Sequence, residues 1–302
     1  MPTPVPSSQA HDDLYETVEE YGRTFLRTKK YSLPNDAQEQ DRLDVQHAMC
    51  LEILGNRLAL APVDDKPLEN VLDLATGTGI WAMEYAKRHP STKVVGTDLS
   101  RVDEQGKPSN CTFLIADADE DWNSKRHWNF IHARAILTCF TDPKSIIQKA
   151  YDNLAPGGYL ELQDPILPWK FASPPPENSA FVRWNELSIE ASIKGGRPWN
   201  NVQHYPRWFK EVGFEEVTES NFFVPTGTWT DDPRYAQVGT WQMLNLNMAL
   251  EGWTFRTLER LGWKAEETQK LVDEVKEELQ SGGLKSYTTF SVVYGRKPMV
   301  SH

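Results

Sequence analysis

The sequence predicts an α/β protein built on a doubly wound sheet of seven strands. Three observations lead there. Between residues 70 and 163, short β-branched runs alternate with helical stretches, the rhythm of a parallel sheet covered on both faces. The run NVLDLATGTGIWAMEYAKRHPSTKVVGTDLS (70–100) reads as a strand, a glycine turn, a helix and a second strand ending in an acid. Beyond residue 213, two more strand-like runs bring a five-stranded core to seven.

The elements follow in order. Residues 1–11 are rich in Pro and Ser and read as a disordered tail. Helical stretches are expected over 12–28 and 36–58. The second is capped by Asn35 or Asp36 behind Pro34, and Leu43, His47, Leu51, Leu54 and Leu58 recur at helical spacing. Pro62 and Pro67 mark a linker. Strands are predicted over 70–75, 93–98, 111–116, 128–133 and 158–163, with helices over 79–89 and 143–155. A Pro-rich stretch (165–176) leads into helices near 177–194 and 204–212, the latter ending at Gly213. A strand over 214–224 precedes a mostly helical region carrying Trp229, Trp241, Trp253 and Trp263, and a strand over 287–295 closes the chain. The expected organisation is a tail and helical cover over 1–62. A ligand-binding domain over 63–302 follows, with helical lid insertions at about 165–203 and 225–285.

Composition narrows the function. With 302 residues, 39% of them hydrophobic, and 11 Trp, 10 Tyr and 12 Phe, the chain has ample core and pocket material. A net charge of −11 with no basic run argues against nucleic-acid and anionic-membrane partners. No stretch approaches the ~18 apolar residues of a spanning helix, and the N-terminus lacks the features of a signal peptide. Cys50, Cys111 and Cys139 are widely spaced, neither a disulfide frame nor a zinc site, and point to the cytoplasm.

The glycine turn carries the cofactor expectation. Gly77 and Gly79 let the backbone turn sharply and approach a ligand, and Asp98 ends the second strand where an acid accepts from ribose hydroxyls. Gly77 to Ala82 even fits the G-x-G-x-x-A form of the dinucleotide fingerprint. Three features favour S-adenosylmethionine instead. Asp73 puts a carboxylate at the turn, suited to an ammonium and poor beside a pyrophosphate. Asp117 and Asp119 follow the third strand, where an acid accepts from an adenine amino group. LAPGGYLELQD (154–164) supplies a helix end, a Pro-Gly-Gly turn and an apolar strand.

With these pieces in order, the chain resembles the class I (Rossmann-like) S-adenosylmethionine-dependent methyltransferases, and within them the fungal LaeA-like family. The resemblance rests on YSLPNDAQEQDRLDVQH (31–47), VLDLATGTGIWAMEYA (71–86), VVGTDLS (94–100), FIHARAI (130–136), LAPGGYLELQD (154–164), EVGFEEV (211–217), LERLGWKAEET (258–268) and VVYGRKP (292–298). Ala75 stands where many class I enzymes have their first glycine. The resemblance implies Asp73, Thr76, Gly77 and Gly79 around the methionine portion and Asp98 and Leu99 at the ribose. It further implies Asp117 and Ala118 at the adenine and Ala133 and Arg134 beside the sulfonium, with Tyr31 and the N-terminal helices folding over as a cover.

Methyl transfer depends first on alignment, so a general base is optional. Base candidates are His132, Glu161 and His204, with Gln163 and Asp164 nearby on the fifth strand. His132 and Arg134 share one strand face, and His132 reads first as a satisfied structural histidine. The tryptophans at 229–263, with Trp169, Trp184, Trp199 and Phe171, suit a planar aromatic acceptor or a core. The expected function is O-methylation of a phenol or carboxyl group in fungal secondary metabolism. The alternatives are an N-methyltransferase, a LaeA-like regulator in a nuclear complex, and a nicotinamide-dependent oxidoreductase.

Overall fold

The computed structural model describes residues 16–28, 31–64, 67–122 and 127–299, so the tail read at 1–11 lies outside the described residues. The described part of 12–28 is not a helix. It is a hairpin of β1 (Thr17–Glu20) and β2 (Arg23–Leu26), with Thr17 opposite Leu26. Tyr21 and Gly22 take φ of 55° and 70°, the values a two-residue hairpin turn requires. The helix formers Glu19 and Glu20 are overridden by tertiary contacts. Phe25 and Leu26 are buried, Arg256 lies 4.0 Å over the Phe25 ring, and Arg256 also reaches Glu20 at 2.7 Å. Arg23 forks onto Asp36 with two bonds of 2.7 Å, fixing the hairpin to the next element.

That element is α1 (Ala37–Ile53), capped by Asp36, whose side chain accepts the Glu39 N–H. It stops short of 58 because Gly55 and Asn56 turn left-handed at φ 61° and 64°. Residues 58–63 then run as an irregular segment that buries Leu58, Ala59, Ala61 and Val63.

The sheet elements follow: β3 (Asn70–Leu74), α2 (Ile80–Arg88), β4 (Lys93–Asp98), β5 (Cys111–Ile115), β6 (Trp128–Arg134), α3 (Pro143–Asn153) and β7 (Leu154–Phe171). After them come α4 (Ala180–Lys194), α5 (Tyr205–Val212), β8 (Glu215–Pro225), α6 (Pro233–Glu259), α7 (Ala265–Gln280) and β9 (Ser286–Arg296). The seven strands stand in the order β5-β4-β3-β6-β7-β9-β8. Pairings from β5 to β7 are parallel, and β9 runs antiparallel to both β7 and β8. The order reverses between β3 and β6, and ligands of open α/β sheets bind at the strand ends beside such a switch.

β7 departs from the reading of a short strand followed by a Pro-rich stretch. It continues through Pro165 to Phe171 on β9, so the first insertion begins after Phe171 rather than at 165. Its pairing with β6 ends at Gln163, and beyond that point a proline without an N–H costs no ladder bond on the open side.

Register sets which side chains meet. Asp73 lies beside His132, and His132 beside Glu161, so all three share one face. That face is covered by Trp81, Ala82 and Tyr85 of α2 and by the 58–63 segment. The opposite face, with Leu72, Ile131, Ala133 and Leu162, joins the large core under α3 to α7. Among the described residues, no helix is long and apolar enough to cross a membrane.

Candidate active site

Beyond the C-terminal ends of β3, β4 and β6 lies a cleft of about 1170 Å³, counting its open mouth. Its floor is the turn after β3. Ala75 adopts φ 51° and Gly77 φ 60°, so the alanine in the first glycine position takes the left-handed conformation at modest strain. A Cβ on Gly77 would meet Leu43 of α1 at 3.2 Å, so this helix closes directly over the turn.

Most of the sequence-predicted cofactor residues meet here. Asp73, Thr76 and Gly77 line the floor, Asp98 and Leu99 one wall, Asp117 and Ala118 the far end, and Tyr31 and Arg134 the opposite side. Two do not line it. A Cβ on Gly79 would fall 2.5 Å from the Phe113 ring, so this glycine serves helix–strand packing beneath the cleft. Ala133 is fully buried on the far sheet face, because alternation sends its neighbour Arg134 to the cleft side.

The acids are held from behind. Thr76 donates to Asp73 at 2.5 Å, and the other Asp73 oxygen lies 2.7 Å from His132 Nδ1. Asp98 accepts the N–H groups of Gly77 at 2.9 Å and Ser100 at 3.0 Å, and burial pushes its pKa up to about 6. Asp117 accepts the Asp119 N–H at 2.9 Å, while Asp119 itself turns toward Arg197 at 3.6 Å.

The three candidate bases sit in different surroundings. His132 touches the cleft but is sealed from solvent, its ring stacked on Trp81 at 3.7 Å and 4°. Burial lowers its pKa, so the ring is neutral and donates from Nδ1 to Asp73. It positions Asp73. His132→Ala should cost about 2–4 kcal/mol of stability, from a lost bond to a charged group plus a cavity. It should also weaken cofactor binding; denaturant unfolding and calorimetry on one preparation check both.

Glu161 lies outside the cleft, accepting the N–H groups of Leu60 and Ala61 and the Gln163 amide, so it anchors the 58–63 segment. Full burial pushes its pKa up to about 7. Asp164, raised likewise to about 7, accepts from Tyr205 and the Leu137 N–H and braces the loop after β6. His204 closes a 3-10 turn, half-buried beside Trp208, and does not line the cleft, while Tyr205 next to it is buried.

A second cavity of about 780 Å³ adjoins the cleft. The two share Tyr31, Leu43, Gln46, Arg134 and Ala135. Trp169, Trp199 and Trp253 wall the second cavity, together with Leu167 and Phe290. The other tryptophans lie elsewhere: Trp184 is core and donates to Thr254, and Trp229 donates to the Ser286 carbonyl.

Arg42 in the wall of the second cavity and His47 behind it were given no site role from sequence. Arg42 is buried, paired with Glu39 at 2.8 Å, bonded to Asn245 at 2.7 Å and 5.3 Å from the Trp253 ring. His47 accepts from Arg134 at 2.7 Å and donates to Glu84 at 2.7 Å. Burial and the Arg134 charge hold its pKa down to about 4. The signal was present in α1, where Glu39, Arg42 and Gln46 recur at helical spacing among apolar residues.

A family model described as a methyltransferase domain matches residues 42–219. The chain is 35% identical to methyltransferase pytC of Aspergillus terreus, covering 92% of this chain and 87% of that protein. It is 32% identical to the probable methyltransferase tdiE of Emericella nidulans, covering 86% and 82%. It is 28% identical to the secondary metabolism regulator laeA of Aspergillus fumigatus, covering 98% and 80%. Among solved structures, the [4+2]-cyclase SpnF shares the fold with a TM-score of 0.52 at 16% identity, covering 84% of this chain and 83% of that one.

Proposed function

Because the chain belongs to the methyltransferase-domain family, we propose that it is an S-adenosylmethionine-dependent enzyme of fungal secondary metabolism that methylates an oxygen of a small aromatic molecule. The observation that carries this reading is the junction of an acid-lined cleft with an aromatic-walled cavity that has no Asp, Glu or His among the described residues of its wall.

The cleft fits the cofactor. Gly77 leaves a cradle that a Cβ would fill, Asp98 and Asp117 stand where a ribose and an adenine need acceptors, and Asp73 suits an ammonium. When bound, S-adenosylmethionine supplies a methyl group activated by a positively charged sulfur. The chain does the rest. The Asp98 oxygens have acceptor capacity beyond their backbone bonds and would take the ribose hydroxyls. Asp73, fixed by Thr76 and His132, would neutralise the ammonium. Leu43 and Tyr31 close the cleft from above and exclude water. The tryptophan walls hold a planar acceptor against the junction, and such alignment is worth ~7–11 kcal/mol. The three unpaired cysteines suit a reducing, cytoplasmic setting.

Two measurements test this reading. Calorimetry should show S-adenosylhomocysteine binding and no NAD binding, and methyl-labelled cofactor should pass label to an aromatic compound in a fungal metabolite extract. NAD binding without S-adenosylhomocysteine binding would sink it. A pH series adds a sharper check. Accepting hydroxyl protons favours ionised Asp98, so affinity should be full above pH 6 and fall as the pH drops through the raised value of about 6. The expected loss below that point is about tenfold per pH unit, and Asp98→Asn should flatten it.

A further inference from the structure

Building on the methyltransferase reading of the two cavities, we propose that the acceptor is a planar aromatic acid bound as its anion, and that Arg134 is the residue that selects it. Arg134 ends β6 where cleft and cavity meet, and it lines both. Its Nη2 bonds to His47 Nδ1 at 2.7 Å, a ring kept neutral by burial. Among the described residues no carboxylate pairs with it. Arg42, the other guanidinium of the cavity wall, is matched at 2.8 Å by Glu39 and adds no net charge.

The rest of the wall gives the same signature. Among the described residues it contains no Asp, Glu or His to take a proton from an acceptor. Burial holds the Tyr31 phenol protonated, which makes it a donor at the junction. Trp169 and Trp253 leave their indole N–H groups buried without a partner. A cation without a carboxylate partner, in a wall whose described residues include no carboxylate, suits an oxygen that arrives already ionised. For such an oxygen the new O–C bond takes one of its lone pairs, the S–C bond leaves its pair on sulfur, and no proton has to move. A guanidinium beside a sulfonium also repels it unless an anion lies between them.

The test is calorimetry on the full chain saturated with S-adenosylhomocysteine, titrated with 2-naphthoate and with its neutral counterpart 2-naphthamide. The naphthoate should bind about tenfold or more tightly than the amide. At saturating S-adenosylhomocysteine, Arg134→Gln should erase that preference and Arg134→Lys should retain most of it. Equal binding of the two probes by the unaltered protein, or binding of neither, overturns the proposal. So does an Arg134→Gln protein that, saturated with S-adenosylhomocysteine, keeps the preference. If the unaltered protein does not bind S-adenosylhomocysteine at all, the methyltransferase reading falls and this proposal falls with it.

Discussion

Asp98→Ala is expected to weaken S-adenosylhomocysteine binding about 100-fold, close to 3 kcal/mol. The substitution removes an acceptor for the ribose, where each bond to a charged group is worth about 1.5–3 kcal/mol. It also releases the Gly77 N–H, held at 2.9 Å, and with it the turn that floors the cleft. The residue stands at the end of β4, not in a core layer, so the melting temperature should move little by comparison. Calorimetry paired with thermal unfolding separates the two effects. A change in affinity below about threefold would take Asp98 out of the ribose role.

Gln242→Trp should produce the opposite pattern: turnover lower by about 10²-fold or more, with S-adenosylhomocysteine affinity unchanged. Gln242 sits on α6 in the wall of the second cavity and has no part in the cleft. An indole there projects into the space the acceptor needs, and misplacement of a reactant by about 1 Å already costs 10²-fold. Overpacking adds about 1–3 kcal/mol of destabilisation, which unfolding measurements would register. Full activity in this variant would place the acceptor elsewhere.

Much of this architecture was legible in the sequence. The β3–turn–β4 unit could be read because the apolar runs, the glycines and the terminal Asp98 are all dictated locally by what the turn must do. The hairpin was not legible. Thr17 to Glu20 alternate only between half-buried and exposed, so β1 has no apolar face to betray it, and only Tyr21-Gly22 hinted at a turn. The chemistry of the strand acids was also beyond local reading. Glu161 and His132 look alike as polar residues inside apolar strands, and their partners, Ala61 and Asp73, are fixed only by long-range packing and register. The wall of the second cavity was half visible as an excess of tryptophan. Which three of those rings face a cavity depends on how α6 and β7 meet α1, and no spacing within one element encodes that.

The two cavities overlap in the chain they use but do not coincide. Among the described residues, the cleft is lined only from between residues 26 and 140, whereas Trp169, Trp199, Val224, Gln242 and Phe290 belong to the second cavity alone. Inheritance can therefore act on the two separately. Drift along α6, a helix of 27 residues bearing Gln242, Asn245 and Trp253, can repaint what is accepted while the donor's seat passes on unaltered. Grafting α6 from one relative into another would thus change the shape of what fits while leaving the donor's seat, and the charge Arg134 brings, as they were.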